Sequence, residues 1–362
     1  MRNITFLPIL VIIILLFSVN FPGYCEESEQ LTENNEQITE NDNIFVNHEE
    51  TAVNKTSDLR NFEKKQRKYG FSIGPQFGFV NGQAIEVVYP TDTKGEYLSE
   101  LLWNMKPIYY LGIYAELGLN DKMSHPGFFS SLSFKAGIPG DSGIHENRDW
   151  MSFENASLTH YSQHTNKTNV FFMADVLIGA SIPLFHFYIK PFINTSWLRF
   201  SFSGRDGLGV YAKSSGTYTY HPINNDPSIY SFSGEVITYE QHWFLIAPGI
   251  SFGTNILSPF TFNLSFQGSP FTYCAAIDHH LTRKDTFYDF TGWGVFMEGG
   301  GNISFCFKFL ELSFDYTYRY IGNTMGDSYI LESKNEYAFL SKNKAGAGLL
   351  LSDTRVMVRV RL

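Results

Sequence analysis

The sequence predicts an all-β protein, a ten-stranded antiparallel transmembrane β-barrel that extends above the membrane as a single domain. Three observations predict it. Aromatic residues make up 17% of the 362-residue chain, and Asp, Glu, Lys and Arg together another 17%. Apolar surface is therefore ample, yet no long apolar run follows the first 25 residues, as expected of strands that show lipid an apolar side chain only at every second position. From Tyr69 onward the dominant hydrophobic period is two, and ten such segments can be counted, an even number as in single-chain bacterial barrels.

The first segments precede the barrel. Arg2, the apolar stretch Leu7 to Phe17 and the small-x-small run Gly23-Tyr24-Cys25 have the layout of a secretory signal over residues 1–25, so the protein is expected to be exported. Tyr24 disfavours the other use of Cys25, lipidation. Residues 26–68 are predicted to be a disordered acidic linker. Glu26 to Asp58 is rich in Glu, Asn, Gln and Thr and nearly lacks aromatics, too little to offset its ordering entropy. That segment supplies much of the formal charge of −9. With no basic stripe in the chain, nucleic acid is not expected as a partner. Lys64, Lys65, Arg67 and Lys68 fit the headgroup edge, where the folded part begins at residue 69.

Strands are expected near 70–90, 96–119, 126–138, 167–184, 186–204, 235–255, 259–276, 285–307, 309–325 and 344–362. The clearest is Leu310 to Tyr320, where Leu310, Leu312, Phe314, Tyr316, Tyr318 and Tyr320 alternate with Glu311, Ser313, Asp315, Thr317 and Arg319. A charged lumen on one side and lipid on the other accounts for both faces. Phe260 to Gln267 and the C-terminal run Val356 to Leu362 repeat the pattern. Several segments exceed the roughly 9–11 residues that cross the hydrocarbon, so strands should project beyond it on one side. Short turns near 185, 257 and 308 suit the periplasmic side. The longer joins 91–95, 139–166, 205–234, 277–284 and 326–343 suit the outside. Gly299-Gly300-Gly301 is expected to mark a bulge or bend. Cys274 and Cys306 are read as packing residues in preference to a disulfide pair.

Two of the long joins carry the candidate chemistry. Asp278-His279-His280 holds a carboxylate that can orient a histidine as a base, and Glu146-Asn147-Arg148-Asp149-Trp150 offers a second polar wall. If both joins lie on one rim, Asn147 and Asp149 face the Asp-His pair across a space fit for a water molecule. A zinc site is disfavoured, because adjacent histidines on a strand point to opposite faces and no third ligand is near. Ser162 lies close to His160 and His164, but without the Gly-x-Ser-x-Gly context of a serine hydrolase. A solvated polar loop stays open as the simplest reading of both joins. One conflict is built in. Extending the inward parity of Thr261 to Gln267 by twos lands on odd positions, so Asp278 and His280 face inward only if a bulge near Pro270, or the loop itself, resets the phase.

From about Gly74 to the C-terminus the chain resembles the omptins, ten-stranded outer-membrane endopeptidases. The resemblance rests on Leu98-Ser99-Glu100-Leu101-Leu102-Trp103; on Asp149-Trp150-Met151 followed by Glu154-Asn155, Ser157, Thr159, Ser162 and His164; on Arg199-Phe200-Ser201-Phe202; on Tyr239-x-Gln241 with Pro248; and on Asp278-His279-His280. It implies an aspartic-type endopeptidase at the outer membrane, with its active-site rim facing outside and no metal or other cofactor. A water activated by a His-Asp dyad and a facing pair of aspartates would attack a peptide bond near a basic residue.

Residue by residue, the resemblance makes Asp278 and His280 the dyad and Asp149 one member of the facing pair. The other member is Asn147, which can hold a water but cannot accept its proton. Glu86 matches the acid that pairs with a substrate Arg or Lys, whereas Ala276 and His160 stand where two further acids are expected, which should weaken a preference for paired basic residues. Arg199 matches a residue that holds lipopolysaccharide phosphates. His242 replaces a second such Arg, so a lipid requirement for activity is left open. Polypeptide and outer-membrane lipid are the implied partners. The alternative is a catalytically impaired barrel of the same fold acting as an adhesin or structural surface protein. A lipid-modifying barrel or a small pore is a lesser one.

Overall fold

The computed structural model describes residues 69–362 apart from 91–96, 120–125, 153–155, 217–218, 255–256, 258 and 332–336. The expected signal and linker lie outside the described residues. Ten antiparallel strands close a ring: β1 (Tyr69–Val88), β2 (Ser99–Leu119), β3 (Gly127–Gly137, continued by Gly140–Asp149), β4 (His160–Leu184), β5 (Phe187–Tyr211), β6 (Ser228–Thr254), β7 (Phe260–Ser269, continued by Thr272–His280), β8 (Asp285–Gly292 and Phe296–Phe307), β9 (Leu310–Ile321 and Met325–Leu331) and β10 (Tyr337–Arg361). β1 pairs with β10 from Ser72↔Arg361 to Val88↔Ala345, so the sheet has no free edge. A small hairpin, Ser214–Gly216 with Thr219–Tyr220, decorates the join between β5 and β6.

The strands run on where loops were expected. Residues 140–149 and 160–166 are strand, and so are Ile277 to His280, which leaves a four-residue turn at 281–284. Hydrophobic alternation fades there because neither face meets lipid, while backbone pairing continues between polar side chains. Asp278 and His280 are therefore strand residues fixed by two neighbours rather than loop residues. Gly299-Gly300-Gly301 also departs from expectation: it lies in unbroken register with both neighbouring strands. A Cβ on Gly300 would come within 2.6 Å of the Thr317 methyl, so close packing explains that glycine. Cys274 and Cys306 form no disulfide.

Inside, the barrel has three levels. The lower lumen holds the charges that alternate with the lipid-facing stripe: Arg319 pairs with Asp175 (3.3 Å) and Glu298, Arg355 with Asp315 (3.2 Å), Arg359 with Glu116 (3.3 Å) and Glu311, and Lys135 with Asp353. Leu312, Phe314, Tyr316, Tyr318 and Tyr320 are exposed on the outer side, as the alternation predicts. Above the charges lies a buried apolar layer including Trp103, Phe200, Phe202, Tyr239 and Trp243. Trp103 stacks on Tyr239 at 5.5 Å and on Phe202 at 5.7 Å. Gln241 crosses this layer, its amide donating to the Ile85 carbonyl on the opposite wall (2.9 Å) while its oxygen accepts from Trp243 Nε1 (2.9 Å). Burying a fully bonded amide in this way fixes β6 relative to β1 and so sets the height of Glu86.

The parity conflict is resolved by a block shift. From Gln267 to Thr272, β7 advances five residues while its β6 partners go from Gly249 to Leu245, only four. From Ile321 to Gly326, β9 advances five residues while β10 goes from Leu349 to Ala345, again four. Between these edges β7, β8 and β9 stay in step: Ser269↔Phe296 is followed by Tyr273↔Gly292, and Phe296↔Ile321 by Gly292↔Met325. The three strands gain one residue each at one level, and their inward parity flips together. Below the joints Gln267, Glu298 and Arg319 line the lumen; above them Cys274, Ala276, Asp278, Asp289, Thr291 and Ser328 are the buried positions.

Each joint is plugged by side chains. Pro270 cannot donate to the ladder, and Trp293 takes a left-handed φ of 61°, costly for so bulky a residue. The Thr272 hydroxyl donates to the Gly294 carbonyl (3.0 Å) and accepts from its N–H (2.7 Å). Thr324 does the same for Ala347 (3.0 and 3.1 Å). These buried hydroxyls replace lost ladder bonds, so Thr324→Val, which keeps the shape, is expected to lower the unfolding free energy by about 1–3 kcal/mol in urea titrations of the refolded barrel.

Candidate active site

With the phase reset, Asp278 and His280 project into the upper barrel. The His280 Nε2–Asp278 Oδ2 distance is 2.6 Å, with the Asp278 side chain 3% exposed and that of His280 22%. Nε2–H donates to the carboxylate, which leaves Nδ1 as the nitrogen able to take a proton. The ring is braced edge-on by Phe287 at 5.5 Å. His279 points to the other face and bonds Thr286 (2.9 Å).

The facing wall comes from β2 and β3. The Ser99 hydroxyl lies 2.6 Å from Asp149 Oδ1 and 3.3 Å from Asn147 Oδ1, and the Asn147 amide donates to Asp149 Oδ2 at 3.4 Å. Thr159 clamps the following turn, its hydroxyl donating to the Asp149 carbonyl (2.9 Å) and accepting from the Met151 N–H (3.0 Å). Burial raises the pKa of Asp149; the Ser99 hydrogen bond opposes this, as do the nearby His160, His280 and Arg283.

Both walls bound one cavity of about 270 Å³, lined by Glu86, Asn147, Asp149, Asp278, His280 and Asp289 among others. Glu86 is 4% exposed. Burial, then the charges of Asp278, Asp289 and Asp149, push its carboxyl well above the usual range. Asp289, 7% exposed, is pushed up to about 7 by burial and by Asp278, against a hydrogen bond from Ser328. Arg283 and Lys344 also line the cavity.

Other expected site residues stand apart. Ala276 is buried in the apolar layer, outside the cavity lining. His160 sits beside Asp149 in the ladder, but its ring packs between Tyr211 (4.9 Å) and Tyr220 (5.0 Å). Arg199 faces outward and is held by both Glu240 oxygens at 3.1 Å, with His242 on the same carboxylate. Ser162 does bond His164 (3.0 Å), and His164 bonds the Asp206 carbonyl (2.6 Å), but both side chains are buried in the wall, away from the cavity. Sequence reasoning gave no role to Ser99, Gln241, Asp289, Arg283 or Lys344. Ser99 and Gln241 stood within quoted motifs; the others carried no local signal, because only the register brings them here.

The sequence profile of the Omptin family matches residues 67–359. The chain belongs to the Omptin family. Among solved structures it is similar to the outer membrane protease OmpT from Escherichia coli, at 17% identity over 81% of this chain and 97% of that one, with a TM-score of 0.71. Much weaker likenesses are to the translocator domain of the autotransporter NalP from Neisseria meningitidis (9% identity, 86% and 96% coverage, TM-score 0.29) and to the toluene transporter TodX of P. putida (9%, 81% and 90%, 0.26). No curated protein matches the sequence. This omptin thus has the fold of an outer-membrane protease, and its exposed apolar belt fits that location.

The raised carboxyls make a pH prediction. Glu86 and Asp289 hold protons in the fold that the unfolded chain releases above about pH 4. The contribution of Asp289 to stability is complete below that pH and is lost as pH rises through about 7, its folded value; that of Glu86 is lost in the same direction as its own raised carboxyl ionises. The unfolding temperature of the unaltered barrel minus that of Asp289→Asn should therefore fall steadily between pH 4 and 8 in thermal melts.

Proposed function

We propose that this protein is an outer-membrane endopeptidase that hydrolyses peptide bonds with an activated water, its rim facing outside the cell. The observation that carries the reading is the 2.6 Å His280–Asp278 pair set in one cavity with Asn147 and Asp149. A water between the walls donates to His280 Nδ1 and to an oxygen of Asp149, while the Asn147 amide N–H donates to the water oxygen and fixes its orientation. His280 removes the proton as the water attacks the peptide carbonyl, and Asp278 stabilises the imidazolium. His280 then returns the proton to the departing amine. No covalent intermediate is needed. Because Asn147 cannot take a proton, His280 carries the base role, helped by the charge of Asp149 alone.

Glu86 at the wall of the cavity favours a basic residue near the cleaved bond. A lipid such as lipopolysaccharide is a second partner, through Arg199 on the outer face. Since Glu240 already engages that guanidinium, an anionic headgroup has to share it, so lipid dependence should be weaker than a free arginine would give. The adhesin alternative draws only on Asn147 and leaves the buried dyad without a use.

Digestion of a diverse peptide library by the refolded full chain, with and without lipopolysaccharide, tests the reading. His280→Ala should reduce cleavage by a factor of about 10³ or more, the scale of a lost general base. Asn147→Asp should raise the rate about tenfold or more by restoring a second carboxylate. If the unaltered barrel cleaves nothing in either condition, the protease reading is wrong.

A further inference from the structure

Two carboxylates in the cavity have no role in activating water. Glu86, on β1, and Asp289, on β8, are each more than nine-tenths buried and line the same space. Glu86 Oε2 and Asp289 Oδ1 have no hydrogen-bond partner, and among the described residues neither carboxylate has a cation within 4.0 Å. Buried carboxylates left so are unfavourable unless they hold protons or receive a cation. The described residues contain no acid or histidine group with metal-binding geometry. The walls beside the two acids are apolar, supplied by Val88, Leu98, Leu101 and Phe287. An aliphatic stem with a charged end fits such a lining better than a bare ion does.

We propose that Asp289 is a specificity-determining residue: with Glu86 it forms an acidic subsite that takes an arginine or lysine side chain of the polypeptide beside the bond to be cut. The proposal rests on the endopeptidase reading and deepens it. Asp289 is the direct ladder partner of Ala276. A carboxylate on β8 thus reaches the region that a longer side chain at 276 would occupy from β7, and the loss of an acid at 276 is made good from the adjacent strand. Two carboxylates on different walls suit a guanidinium, whose planar fork can engage both. This reverses the weakened basic preference expected from Ala276 alone. Arg283, in the turn before β8, and Lys344, on β10 beside β1, also line the cavity and are the protein's own rivals for the two acids, and a substrate cation must displace their influence.

The test separates binding from cleavage. In the His280→Ala barrel, end-blocked peptides identical except for one arginine, citrulline or norleucine are titrated by fluorescence anisotropy at pH 8. The arginine peptide is expected to bind at least tenfold tighter than either neutral one, and Asp289→Asn to remove most of that preference. Ala276→Asp added to Asp289→Asn should recover it, and Asp289→Glu, which keeps the charge, should retain it even if Asp289→Asn fails to fold. An undiminished arginine preference in a folded Asp289→Asn barrel, or no arginine preference in the parent, overturns the proposal. Absence of cleavage by the unaltered protein would sink the protease reading without affecting this readout, and cleavage with no arginine preference would do the reverse.

Discussion

Strand parity is the constraint on which the rest of this structure depends. In a closed barrel each strand alternates between lumen and exterior, so a residue's side is settled by counting from any neighbour of known side. Lipid fixes the count in the lower barrel, where Leu312 to Tyr320 must face outward. Carried upward without change, that count would put Asp278 and His280 on the outer surface. One added residue in each of β7, β8 and β9 turns them inward. Because the three strands shift together, the interior ladders of the band survive, and the misfit is confined to its two edges and the joints.

The barrel divides its labour by level. The lumen ion pairs offset one another's charge, while the aromatic layer around Trp103 and Trp243 separates them from the cavity. Gln241 ties that layer to β1 immediately below Glu86. The cavity then receives four acids from four strands, Glu86, Asp149, Asp278 and Asp289, in little space. Burial and mutual repulsion raise the pKa of Glu86 and Asp289, whereas Asp278 has a histidine and Asp149 a serine. Asparagine at 147 fits this crowding: a fifth acid would add charge to a wall where Asp149 is already raised.

The strand count, the alternation of faces and the charged lumen were legible in the sequence because lipid imposes a period that composition reveals. Strand ends above the membrane were not, since water on both faces erases the hydrophobic signal while leaving the hydrogen bonding intact. Asp278, His280, Asn147 and Asp149 could be named from the resemblance, and the parity conflict at Pro270 could be foreseen by counting. Its solution could not, because it lies in two other strands, at Trp293 and Thr324, whose irregularities mean nothing until they are paired with Pro270. Asp289 was invisible for the same reason: its meaning comes from the partner it faces across a ladder.

Thiol reactivity along β7 tests the block shift most directly. In a Cys274→Ser, Cys306→Ser background, single cysteines at 276, 277, 278 and 279 would be labelled with a bulky water-soluble maleimide on the folded barrel. Rapid labelling at 277 and 279 with slow labelling at 276 and 278 is the predicted result. The opposite alternation, fast at even and slow at odd positions, would mean that the parity of the lower strand continues unbroken and that the dyad does not face Asn147 and Asp149.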